Sequence, residues 1–166
     1  MEGISVNRSR TKMTEVVLPN DTNPLGILLG GRLLYWMDIA AAICAQLHSQ
    51  NIAVTVALDH MEFRSPAKTG DIIEIEAQVT HVFYTSLEII VEAWKKNIKS
   101  QERIKVNEAY FTFVVIDSEG NHLNVPPVIP ETERDKVLFV EAETRRKVRL
   151  DARKVKNKAL STIKKI

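Results

Sequence analysis

The chain has 166 residues, of which 45% are apolar and 27% charged, proportions of a folded globular domain with a real core rather than of a fibrous or disordered chain. Its single cysteine excludes an internal disulfide, no uncharged apolar run reaches the ~18 residues of a membrane span, and the opening "MEGISVNRSRTKMTE" lacks a signal peptide's apolar stretch. Together these predict a cytoplasmic protein. The net charge of +2 hides an asymmetry: Arg145 to Ile166 carries ten Lys or Arg against one Asp, so the tail is +9 and the remainder −7.

In chain order, "TKMTEVVLP" (11–19) alternates apolar and polar residues and reads as a strand ended by Pro19. "NDTNPLG" supplies turn chemistry. Gly30 and Gly31 then open a helix predicted from about Arg32 to His48. Four strand-like runs follow, at 53–65, 71–82, 86–96 and 104–117, separated by short links that favour antiparallel pairing. "PPVIP" (126–130) breaks the pattern, and a charged helix is predicted from about Glu131 towards Val155. One helix among long strands makes an α+β fold, a long central helix on a five-stranded antiparallel sheet. The domain runs over 1–130, with a charged, basic helical extension over 131–166. Without aromatics between its charges, the extension reads as a solvated face, and it argues against nucleic acid.

The helix "RLLYWMDIAAAICAQLH" is apolar nearly all round. At about 100° per residue, Leu33, Trp36, Met37, Ala40, Ile43, Cys44 and Leu47 fill one broad face. Such a helix is buried, wrapped by the sheet or covered by a second subunit. One acid, Asp38, emerges between small alanines. Burying a carboxylate costs several kcal/mol unless it is paired or hydrogen-bonded. Asp38 either caps a neighbouring backbone, pairs with an Arg from the sheet, faces a solvated subunit interface, or serves chemistry.

The residues around that acid resemble a known family. Pro19, Asp21 and Asn23 fit P-x-D-x-N; Gly26, Gly30 and Gly31 fit G-x-x-x-G-G; Met37, Asp38, Ala40 and Ala42 fit M-D-x-A-x-A. A second block, "VTVALDHMEFRSPAKTGD" (54–71), keeps Val54, Thr55, Asp59, Phe63, Pro66, Gly70 and Asp71. This pattern is similar to that of the hotdog-fold acyl-CoA thioesterases, the group of bacterial broad-specificity and mammalian cytosolic acyl-CoA hydrolases, over roughly residues 12–117. The resemblance implies hydrolysis of acyl-CoA thioesters without a cofactor, since coenzyme A is part of the substrate. It implies Asp38 and Asn23 as catalytic residues brought together from two protomers. The partner is then a second copy of the chain: a homodimer at least, with a hexameric trimer of dimers the usual assembly. One departure stands out. Relatives commonly read V-G-R-T-S where this chain reads "VFYTS", so Thr85 and Ser86 are kept as coenzyme A contacts but Tyr84 replaces an arginine. Arg32, Arg64 and Lys68 are the candidate replacement cations; each is equally a surface charge.

The chemistry suits these residue types. Thioester hydrolysis needs a base or nucleophile, for which Asp38 serves. It also needs donors for the developing oxyanion, which the free N–H groups at Gly30, Gly31 and Arg32 offer. Asn23 carries both an amide donor and an acceptor; its structural alternative is an Asx-turn before Pro24. The glycines are alternatively a tight turn. The four histidines show no metal spacing, and no metal site is expected. His48 reads as a helix-end charge, and Asp59 as either a ligand-orienting acid or a satisfied strand residue. Two other functions compete: a non-catalytic acyl-CoA sensor on the same fold, and a dehydratase of 3-hydroxyacyl thioesters, which would want a histidine beside the acid.

Overall fold

The computed structural model describes residues 1–163, the side chains of His60 and 157–163 excepted; the end of the basic tail, 164–166, lies outside the described residues. The elements are β1 (Ile4–Ser5), α1 (Val6–Ser9), β2 (Thr11–Val16), a 3-10 turn (Pro19–Asp21), α2 (Gly30–Ser49), β3 (Ile52–Phe63), β4 (Ile72–Val82), β5 (Ser86–Lys96), β6 (Arg103–Ile116), β7 (Val128–Ile129) and α3 (Glu133–Ile163). Five strands form one antiparallel sheet in the order β2-β4-β5-β6-β3. β1 and β7 make a small parallel pair that the sequence did not signal. Among the described residues no helix is long and apolar enough to cross a membrane.

Alternation puts Ile73, Ile75, Leu87, Ile89, Phe111 and Phe113 on the concave face, all buried against α2. From α2 itself Leu33, Trp36, Met37, Ala40, Ala41, Cys44 and Ala45 enter this core. The expected face was too broad: Ile43 and Leu47, at i, i+4 spacing, are 40% and 51% exposed, and with Tyr35, eight residues before Ile43, they form an uncovered ridge. The helix ends at Gln50, whose left-handed backbone (φ 55°) returns its N–H to Gln46.

β3 is a sheet edge, yet Ile52, Val54, Val56 and Leu58 are all exposed on it. Each such side chain is worth ~1.5–3 kcal/mol when fully buried. A long apolar edge of this kind is a pairing surface.

As far as Arg149 the extension is not a solvated tail, whereas residues 150–156 are exposed. α3 lies on the convex face, where Arg134 pairs with Glu92 at 2.6 Å and Asp135 accepts from Gln78 at 2.9 Å. Arg145 reaches the fully buried Glu88 at 2.8 Å, and Arg149 pairs with Asp59. Asp59 is thus a satisfied strand acid. The arginines that make the tail basic are in part the partners of acids presented by the sheet.

Candidate active site

Asp38 sits two turns into α2 and is half-buried in the single chain. Its Oδ1 accepts a hydrogen bond from Thr55 Oγ1 at 2.8 Å. Thr55 lies on β3 beside a bulge, the register slipping between Thr55 and Ala57. Bulges re-aim side chains near active sites, and here one adjoins the hydroxyl that meets the carboxylate. Thr55 was not among the expected site residues. The signal available was a lone hydroxyl in the otherwise apolar run "IAVTVAL".

Asn23 serves its own loop. Its Oδ1 accepts from the backbone N–H of Leu25 (3.0 Å) and of Ile27 (3.1 Å), the Asx-type turn, which commits the acceptor and leaves Nδ2 as the free donor among the described contacts. The expectation that Asn23 offers both donor and acceptor to a ligand is corrected to a donor alone. The loop is anchored by Asp21, which is buried, takes the Leu18 N–H at 3.0 Å, and pairs with Arg32 Nε at 2.9 Å. Arg32 is therefore a brace between loop and helix.

The helix begins without a side-chain cap: the N–H groups of Arg32 and Leu33 both turn back to the Leu29 carbonyl. The N–H groups of Gly30 and Gly31 have no partner among the described residues and carry the positive end of the helix dipole. A Cβ on Gly30 would meet the Phe63 ring at 2.8 Å, which explains that glycine by packing. A Cβ on Gly31 would meet nothing within 4 Å, and its φ is not left-handed. Nothing in a single chain requires glycine at 31.

These groups do not converge within one chain. Eight helical residues separate Gly30 from Asp38, ~12 Å along the axis. The Asn23 loop is tied to 67–69 by Leu28 N–H to Ala67 O and Thr69 N–H to Gly26 O, at the Phe63 end of the sheet. Arg64 and Lys68 stand exposed at that end, Arg64 beside Glu62 at 3.3 Å. Thr85 and Ser86 lie at the opposite end, in the β4–β5 turn, where their carbonyls accept from Val115 and Phe83.

His48 is not a helix-end charge. It is fully buried, with Nδ1 3.1 Å from Ser9 Oγ and Nε2 3.1 Å from the Pro126 carbonyl. The carbonyl only accepts, so Nε2 carries the proton and Nδ1 accepts from Ser9. Burial pushes its pKa down. Burial likewise pushes the Cys44 thiol up to about 12, which makes it an inert core residue.

Comparison with known proteins places this geometry. The model of the thioesterase superfamily matches residues 25–101. An uncharacterised acyl-CoA thioester hydrolase of Bacillus subtilis is 35% identical over 137 residues, covering 82% of this chain and 80% of that one. The human cytosolic acyl coenzyme A thioester hydrolase is 33% identical over 85% of this chain, which spans only 38% of that longer protein. Among solved structures, an acyl-CoA hydrolase from Staphylococcus aureus, in complex with butyryl coenzyme A and coenzyme A, superposes with a TM-score of 0.91 at 30% identity, covering 96% of this chain and 98% of that one. A hexameric acyl-CoA thioesterase gives 0.88 at 38% identity, covering 92% and 97%. Structures of the Staphylococcus enzyme exist with an Asp, an Asn or a Thr replaced by Ala, and the spacing of those three positions equals that of Asp38, Asn23 and Thr55. The chain belongs to the thioesterase superfamily, among its hotdog-fold acyl-CoA hydrolases.

Proposed function

We propose that this chain hydrolyses acyl-CoA thioesters to a carboxylic acid and free coenzyme A, in a site shared by two subunits. The observation that carries it is the carboxylate of Asp38, held by Thr55 at the edge of an uncovered apolar strand. A second copy pairing antiparallel through β3 continues the sheet across a two-fold axis. Antiparallel pairing reverses direction, so the Thr55–Asp38 end of one chain meets the Phe63–Gly30 end of the other. That supports Asn23 of the partner subunit and the partner's Gly30 and Gly31 as the groups facing Asp38. It also accounts for the uncovered ridge of Tyr35, Ile43 and Leu47, and for a glycine at 31 that nothing else requires. A trimer of such dimers is the assembly we favour.

In this site Asp38 takes a proton from water as its oxygen bonds to the thioester carbonyl carbon. The oxyanion that forms is met by the N–H groups at the helix start and by Asn23 Nδ2. The C–S bond then breaks, and the proton passes from Asp38 to the departing thiolate. No cofactor enters. Arg64, Lys68, Thr85 and Ser86 are the candidates for holding coenzyme A. A cytoplasmic location fits the single, buried cysteine.

The dehydratase reading lacks its histidine: His48 is ten residues from Asp38 and engaged by Ser9 and Pro126. The deciding experiment is a screen of purified protein against acyl-CoAs of graded chain length, following free thiol. Saturable thiol release is expected. Tight acyl-CoA binding with no thiol release across the series would establish the sensor reading instead.

A further inference from the structure

Asn107 is wholly buried, and neither its amide oxygen nor its amide nitrogen has a hydrogen-bond partner among the described residues. Buried polar side chains are in the large majority satisfied, so an amide orphaned at both ends calls for a cause. Asparagine is also a poor strand former. An apolar residue of similar shape would fill the same space without the desolvation cost.

The register fixes the face it occupies. Phe113, Phe111, Ala109 and Asn107 follow at two-residue intervals on β6, and the first three belong to the core. Asn107 pairs with Ala93 on β5 and with Phe63 on β3. It therefore lies on the concave face, under α2. The other buried orphan atoms, on Glu88, Thr112 and Trp94, lie on the convex face, where Glu88 pairs with Thr112 and Trp94 with Glu74. Beside Asn107 the ladder slips between Ala93 and Trp94, which leaves Val106 with no opposite residue on β5. Val106 and Phe63 both line a cavity of about 300 Å³ at the start of α2, shared with Leu28, Leu33 and Arg64. Asn107 is thus the chain neighbour of one wall residue and the cross-strand neighbour of another. The Phe63 ring, in turn, abuts Gly30.

We infer that Asn107 selects acyl groups that carry a hydroxyl close to the thioester carbonyl, with the acyl group seated in this cavity. The inference rests on the function proposed above, which puts the carbonyl against the N–H groups of Gly30 and Gly31. A hydroxyl suits the amide at both ends, donating to Oδ1 and accepting from Nδ2. A ketone would meet Nδ2 alone. A carboxylate would need a cation, and Arg64 is engaged by Glu62 at 3.3 Å. Asn107 is one strand spacing, ~5 Å, from Phe63, so the hydroxyl belongs on the first few carbons past the carbonyl. The cavity is at the lower end of ligand-site volumes, which suits a short chain. The bonds made and broken are those of the proposed reaction: water oxygen joins the carbonyl carbon, the C–S bond breaks, and a hydroxy acid and free coenzyme A leave.

The test compares matched substrates, butyryl-CoA against 2-hydroxybutyryl-CoA and 3-hydroxybutyryl-CoA, by free-thiol release from the purified protein. A site built to hydrogen-bond a hydroxyl rejects the analogue lacking it far more strongly than an apolar pocket does, so kcat/KM should favour one hydroxylated member by ~10²-fold or more. Asn107→Leu should collapse or reverse that ratio while Tm holds or rises, because two orphaned polar atoms are removed. Asn107→Ala serves in its place if the leucine variant does not fold. A wild-type ratio near one for both hydroxylated substrates overturns the inference, whatever the variants do. So does a folded variant that keeps the wild-type ratio, the result expected if the amide only holds a buried water. If no acyl-CoA releases thiol, the proposed function fails, and the same pairs are compared by calorimetric titration. The preference for the hydroxyl should then appear in Kd, and equal affinities would overturn the inference separately.

Discussion

The Thr55 hydroxyl donates to Asp38 across 2.8 Å, joining the edge strand to the central helix. The bond occupies one oxygen of the carboxylate and fixes the plane in which the other presents itself. Asp38→Asn should therefore lower kcat on the best acyl-CoA by ~10² or more, the scale of a general base. Thr55→Val should cost less, ~10-fold, because it acts by positioning through one hydrogen bond to a charged group. Thr55→Ser should restore most of the loss. Free-thiol release under saturating substrate measures all three, and undiminished turnover in a folded Asp38→Asn protein would remove the acid from the mechanism.

Within one chain the free N–H groups at the helix start are ~12 Å from Asp38, so activity should depend on two chains. Asn23→Ala and Asp38→Asn proteins, each inactive alone, should complement when mixed under conditions that exchange subunits. A hybrid dimer regains one intact site of two, so activity per hybrid should approach half that of wild type. Hybrids verified by mass that remain inactive would place the pair within one chain.

Glu88 is wholly buried on the convex face, and its Oε1 takes donors from Thr80 at 2.7 Å and Arg145 at 2.8 Å, while Arg149 lies 3.9 Å from Oε2. Removing one partner of a buried pair strands the other's charge. Arg145→Met should destabilise by ~3–5 kcal/mol, whereas Arg145→Met with Glu88→Leu should recover much of that. Urea unfolding of the four proteins in the cycle gives the coupling; purely additive losses would show that the pair is not a unit.

His48 is neutral in the fold because burial pushes its pKa down, the Pro126 hydrogen bond only partly opposing it. The unfolded chain takes up a proton there below ~6.5. Unfolding then binds a proton, so this contribution is complete above that pH and is lost as pH falls below it. His81, also pushed down by burial, acts in the same direction. Tm should drop between pH 7.5 and 5.5, and less so in His48→Gln. The paired carboxylates enter only at lower pH: burial pushes Glu92 up, but Lys105 and Arg134 hold it below its usual range.

The sheet was legible because four of its five strands run eleven residues or more with sustained apolar character, and the short links between them leave few ways to pair. β1 and β7 were not, since two-residue strands far apart in sequence carry no periodic signal. The helical wheel put Ile43 and Leu47 in the core because it counts apolar positions without knowing how much of the helix one sheet can cover. Asp38 was visible as an acid in an apolar helix, but Thr55 was not, because a bulge decides which way its hydroxyl points. The pairing of α3 with the sheet was hidden for a related reason. Arg145 and Arg149 read as solvated charge until the register sets Glu88 and Asp59 beneath them.

That pairing changes what it means to shorten the chain. Residues 144–163 look expendable, a polar segment that follows a finished domain. Yet Arg149 fastens Asp59 on the strand that carries Thr55, and Arg145 neutralises a carboxylate with no route to water. A chain cut after Glu143 would uncover both acids at once, one of them four residues from the hydroxyl that orients Asp38. The turn of the last helix from Arg145 to Arg149 works as an outer splint for the reactive edge, so its loss should be felt as slower chemistry as well as weaker folding.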